Sequence, residues 1–200
     1  MFKKILIIAA ILFFAFSVLF LSVFKATASA LTPQKTSVRF TISPTATPSP
    51  TTKSEIAYYL AYPGILPDHF LYPFKMVRDR IRLWLTTDSI KKAEVMLLYA
   101  DKRLGAARAL IEGNKFSLGI TTLEKGEKYL EQAVGELEKA KEKGLEVGKN
   151  LEKFKTAALK HEEVILSVGN NLSPENKSAV NKYLTYPQNI FKRLQGLISE

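Results

Sequence analysis

Residues 87–114 read TDSIKKAEVMLLYADKRLGAARALIEGN, and this stretch decides the fold. Thr87-Asp88 offers an oxygen to cap a helix N-terminus. Ile90, Ala93, Leu97, Ala100, Leu104, Ala107 and Ile111 follow at alternating spacings of three and four, and Gly113-Asn114 stops the pattern. That spacing returns to one face of a helix, so the stretch predicts an amphipathic helix with a narrow apolar seam. A second seam follows in Phe116, Gly119, Leu123, Gly126, Leu130, Ala133, Leu137 and Ala140, and a third in Val147, Leu151, Phe154, Ala158, His161, Ile165 and Val168. The register runs unbroken from Phe116 to Val168, which would allow one long rod. A break at Gly144 is expected instead, because Gly144 and Gly148 would each cost ~1 kcal/mol in a helix interior.

Small residues recur every seven positions, at Ala93, Ala100 and Ala107 and at Gly119, Gly126, Ala133 and Ala140. Such ridges let two helices approach closely, and the short turns expected at 113–115 and 144–146 make neighbouring helices antiparallel. Ser173-Pro174-Glu175 starts a C-terminal helix that carries Val180, Leu184, Phe191, Leu194 and Ile198, with a kink or break expected after Tyr186 because of Pro187. Between Pro73 and Pro174 there is no proline. The fold class is therefore all-α, an antiparallel bundle of about four to five helices.

Outward from the bundle, the composition divides the chain into three parts. The 200 residues hold 29 Lys+Arg against 19 Asp+Glu, a net charge of +10, and no cysteine. Every acid lies in residues 55–200, which carry 23 basic residues and form one domain. The lack of cysteine excludes a disulfide scaffold, a thiol nucleophile and a cysteine-held metal. Residues 1–30 read as a signal peptide or signal anchor: Lys3-Lys4, a 20-residue apolar run from Ile5 to Phe24, then Ala28-Ser29-Ala30. Retained, the run 5–24 holds the protein in the cell membrane with the folded part outside the cytoplasm. Cleaved after Ala30, the protein is secreted. The basic N-terminus stays inside in either case. Residues 31–54 form a linker in which 15 of 24 residues are Thr, Ser or Pro, too polar to offset chain entropy by burial.

Residues 58–75 hold four of the eight tyrosines and three of the nine prolines, an extended strap that precedes the bundle. Residues 76–85 then continue as a helix with Phe74, Val77, Ile81 and Trp84 on one face. The strap reads as tyrosine rings laid over apolar helix surface. Functionally, Tyr58, Tyr59, Tyr62 and Tyr72 would line a ligand or partner groove. Lys75, Arg78, Arg80 and Arg82, offset only by Asp79, are the one local charge excess, suited to anionic lipid headgroups or an anionic surface polymer. The plainer reading of the same cations is a solvated face paired with acids of neighbouring helices.

The motifs P-G-x-L-P-D-H-x-L-Y-P-x-K over Pro63–Lys75, R-D-R-I-R over Arg78–Arg82 and T-x-D-x-x-K-K-A-E through Asp88, Lys91, Lys92, Ala93 and Glu94 resemble an uncharacterised bacterial envelope domain of unknown function. Lys160-His161-Glu162-Glu163-Val164 and Leu172-Ser173-Pro174-Glu175 are similar to it too. The resemblance implies an exported helical domain and brings no activity with it.

Chemistry has little to build on. His69 and His161 are the only histidines, and a metal would need further ligands such as Asp68 or Glu162. His161-Glu162-Glu163 is not the zinc-protease pattern, and Glu162 and Glu163 diverge by about 100° on a helix. No phosphate loop, dinucleotide fingerprint or nucleophile elbow occurs. No catalytic residue, metal or cofactor is assigned, and an enzyme is not expected. The expected function is a binding or scaffolding module of the cell envelope. Its candidate contact residues are Tyr58, Tyr59, Tyr62, Tyr72, Lys75, Arg78 and Arg82, its partner an envelope protein or anionic surface polymer, and nucleic acid is not expected. The alternatives are an extracytoplasmic sensing or regulatory subunit working through a separate membrane partner, a metal-dependent enzyme built around His69 and His161, and a homo-oligomer.

Overall fold

The computed structural model describes residues 56–199; the apolar run 5–24 and the linker 31–54 lie outside the described residues. Residues 56–71 are irregular. They lead into α1 (Tyr72–Leu85), α2 (Ser89–Glu112), α3 (Phe116–Glu142), α4 (Gly148–Asn170), α5 (Pro174–Asn181), a 3-10 turn (Lys182–Leu184) and α6 (Thr185–Ser199). Among the described residues there is no strand, and no helix long and apolar enough to cross a membrane.

Local chemistry sets the helix ends. Asp88 caps α2, its carboxylate accepting the Lys91 N–H at 2.8 Å and satisfying an amide that has no partner within the helix. Past the end of α2, Asn114 takes a left-handed conformation at φ 60°, and Gly144 does the same beyond α3 at φ 73°. The register that runs on from Phe116 to Val168 is thus broken at Gly144, giving two rods instead of one. Two details depart from the sequence reading. Ser173 stands before α5 but its side chain makes no capping bond. The C-terminal break falls at Lys182–Leu184, ahead of Pro187, which is accommodated in the first turn of α6, where no amide is needed.

The α2–α3 hairpin is the backbone of the bundle, and it closes on the small residues of its seams. A Cβ on Gly119 would lie 2.5 Å from Ile111 Cγ1, and one on Gly126 3.2 Å from Arg103 Cβ, so the two helices meet closer than alanine would allow at Gly119. Helices α4 and α6 pack on the other side. The core is split in two. One cluster is built from Leu97, Leu130, Leu137, Leu151, Phe154, Ile190 and Leu194, the other from Leu104, Ile111, Leu123, Ile165, Val180 and Tyr183. Between them α2, α3 and α4 bring together three buried ionisable residues, Asp101, Glu127 and His161.

Candidate functional site

Asp101 lies four residues after Leu97 and three before Leu104, Glu127 four after Leu123 and three before Leu130, and His161 three after Ala158 and four before Ile165. Each is therefore on the core-facing stripe of its own helix. His161 is fully buried, with Nδ1 2.9 Å from Glu127 Oε1 and Nε2 3.2 Å from Asp101 Oδ1. Burial opposes a charge on the ring, but the two carboxylates and their hydrogen bonds outweigh it and push the His161 pKa up to about 9. At neutral pH the ring is an imidazolium donating from both nitrogens.

The strap joins this layer. Tyr58 donates its hydroxyl to the second oxygen of Asp101 at 2.9 Å, and burial followed by the Asp101 charge holds that hydroxyl protonated far above its usual range. Glu127 Oε2 has no hydrogen-bond partner among the described residues. Because the imidazole sits between the carboxylates, they do not converge on a common point. Among the described residues no group of acids and histidines is arranged to hold a metal. His69 is distant in character: it lies exposed on the strap, where its Nδ1 accepts the Leu71 N–H.

A second polar group fixes the orientation of α1. Asp79, the only acid of that helix, is 3% exposed and faces inward, paired with Arg78 at 2.7 Å. Its backbone carbonyl accepts the Tyr99 hydroxyl. Arg103, also buried, lies over the Tyr129 ring at 4.1 Å and donates to the Tyr99 carbonyl and to Met76 Sδ. Met76 and Asp79 are thus held against α2. Val77 lies ~200° around the helix from Asp79, so the stripe of Phe74, Val77, Ile81 and Trp84 is turned outward.

The spacing alone leaves that orientation open. Phe70 is 77%, Phe74 72% and Trp84 80% exposed, with Val77, Ile81 and Leu85 exposed beside them. An open groove of about 810 Å³ runs along this face, lined by Val77, Arg80, Ile81, Trp84, Lys92 and Tyr129. Contiguous exposed apolar surface of this kind marks interaction sites. Arg78, Arg80 and Arg82 flank the stripe and are exposed, and among the described residues neither Arg80 nor Arg82 has an ion-pair partner. Asp79 offsets only Arg78, so the charges of Arg80 and Arg82 stand uncompensated on the outward surface.

The seven sequence-derived contact residues are not gathered in one place. Tyr58 points into the core and Tyr72 is half-buried, whereas Tyr59 and Tyr62 are 95% and 82% exposed. Lys75 donates to the Pro63 and Ile65 carbonyls at 2.7 and 2.9 Å, so it buckles α1 to the strap, and Lys115 pairs with Asp68 to anchor the strap at the α2–α3 turn. Arg78 and Arg82 remain on the outward helix face. Phe74, Val77, Ile81 and Trp84, which the sequence places on one helix face without fixing its direction, join them, with Phe70 exposed just ahead of the helix.

Over residues 64–175 the chain matches the family described as a domain of unknown function, DUF5667. The chain belongs to the DUF5667 family. The match spans the strap from Gly64, the outward helix α1, the α2–α3 hairpin and all of α4, so both the buried ionic layer and the exposed apolar face lie on the DUF5667 domain. No curated protein and no solved structure matches the chain.

Proposed function

We propose that this DUF5667 domain is a non-enzymatic docking module of the cell envelope, exported and held at the membrane by residues 5–24, which binds or scaffolds through the outward face of α1. The observation that carries this reading is the exposed stripe of Phe74, Val77, Ile81 and Trp84 on a helix whose polar side is locked against the bundle. A helix that buries Asp79 while leaving Phe74 and Trp84 in water is costly unless something covers that face: burying such side chains is worth roughly 1.5–3 kcal/mol each. The arginines beside the stripe add selectivity for an anionic partner. The ionic layer of Asp101, Glu127 and His161 has a structural part in this reading, tying three helices and the strap into a rigid support for α1.

A photo-reactive amino acid at Ile81 of the full chain, activated in cells, tests the reading against the same probe at Lys125, an exposed position on α3. A defined adduct from position 81 and none from position 125 is expected. Equal labelling from both, or none from either, would remove the outward face of α1 as a docking surface.

A further inference from the structure

We infer that the occupant of the outward α1 face is the surface of an anionic lipid bilayer, with the helix lying in the headgroup region and its apolar stripe turned toward the acyl chains; this rests on the docking reading above. Three observations select lipid. First, Phe74, Val77, Ile81, Trp84 and Leu85 are exposed along α1, with Phe70 exposed just ahead of it, aromatic and aliphatic residues on one helix face as in helices that lie in a bilayer interface. Second, Arg80 and Arg82 flank it with no ion-pair partner among the described residues, while Asp79, the only acid of α1, is buried and paired with Arg78; the unpaired charge beside the stripe is cationic. Third, the sequence places the apolar run 5–24 only 31 residues ahead of the first described residue. A domain tethered so closely meets the bilayer at a high effective concentration.

The same observations disfavour the other occupants. A twofold pairing of α1 with α1 would set arginine flanks of two copies side by side with no exposed acid on either helix to offset them. An anionic wall polymer would satisfy the arginines but offers no apolar phase for Phe74, Ile81 and Trp84.

Trp84 is the only tryptophan of the chain, so its fluorescence reports this face without ambiguity. The full chain reconstituted into vesicles of phosphatidylcholine alone, or of phosphatidylcholine with phosphatidylglycerol, is the test. With phosphatidylglycerol present, Trp84 emission should shift to the blue and be quenched by lipids brominated near the headgroup end of the acyl chain. In phosphatidylcholine alone, in high salt, or in an Arg80→Gln/Arg82→Gln variant, the ratio of docked to free domain should fall roughly ten- to thirty-fold. Ile81→Asp, a change at an exposed position that leaves the bundle core untouched, should abolish quenching while the circular dichroism spectrum stays the same. Trp84 emission that stays water-like and unquenched in every vesicle overturns the lipid assignment. Two results from the Ile81 cross-linker also separate it from the docking reading. A protein adduct, or an adduct to a second copy of this chain, with no lipid quenching leaves docking standing and the lipid assignment refuted; no adduct at all together with no quenching refutes both.

Discussion

Replacing His161 by alanine is expected to lower the unfolding free energy of the domain by about 3–5 kcal/mol, the usual result of removing one partner from a buried ionic group. The imidazolium is fully buried between Glu127 and Asp101, and without it two carboxylates are left in the core on facing helices, with the Tyr58 hydroxyl as the one remaining side-chain donor to either among the described residues. Glu127 already has an oxygen without a partner, so nothing nearby compensates. Chemical unfolding of the full chain in detergent, followed by far-ultraviolet circular dichroism, measures the loss. The simultaneous change of Asp101, Glu127 and His161 to leucine should recover much of it, because no charge then stays buried. A triple variant as weak as His161→Ala would mean that packing, and not charge, dominates the layer.

The second large effect is on pH. The folded His161 pKa is pushed up to about 9 against an ordinary 6.5, so between those values the folded chain holds a proton that the unfolded chain has released. Stability from this group is complete below about pH 6.5 and is lost as pH rises through 9. The total is roughly 3 kcal/mol by the usual conversion of pKa difference to free energy. The groups that face His161 are Glu127 on α3, Asp101 on α2 and, through Asp101, Tyr58 on the strap. Tyr58 is held protonated across this window, so it does not add a loss of its own. An unfolding midpoint that declines between pH 6.5 and 9.5 in the wild-type chain and stays flat in His161→Ala is the expected result. Equal slopes in both would place the titration elsewhere.

Much of the bundle is legible in the sequence because seams, caps and stops act over a few residues. All three long seams are buried or nearly so, Asp88 caps the helix it precedes, and Gly144 ends α3 in a left-handed conformation that favours glycine. The ionic layer was readable in part. Asp101 and Glu127 sit on the core stripes at spacings of four and three from leucines on both sides, as His161 does from its own neighbours. A charged residue at such a position asks for a buried partner, and three of them invite pairing. What the sequence does not reveal is which helices bring them to one level, since that depends on hairpin length and register.

The orientation of α1 is hidden for a different reason. A stripe at positions 74, 77, 81 and 84 is compatible with facing a core or facing outward, and the choice is made by Asp79, Tyr99, Arg103 and Met76, residues that come from two helices and meet only in the fold. Of the seven contact residues read from the sequence, Tyr58 and Lys75 hold the strap in place, and the helix face carries Arg78 and Arg82. The strap tyrosines differ among themselves because residues 58, 59 and 62 face different ways in an irregular segment with no period to read.

Radical footprinting of Trp84 in intact cells tests the central claim, that the outward face of α1 is covered in the envelope. Trp84 is 80% exposed in the domain itself, so an uncovered face would react at close to the rate of the urea-unfolded chain. Modification several-fold slower than in the unfolded chain is the expected result. Modification of Trp84 in intact cells at the unfolded rate would contradict it.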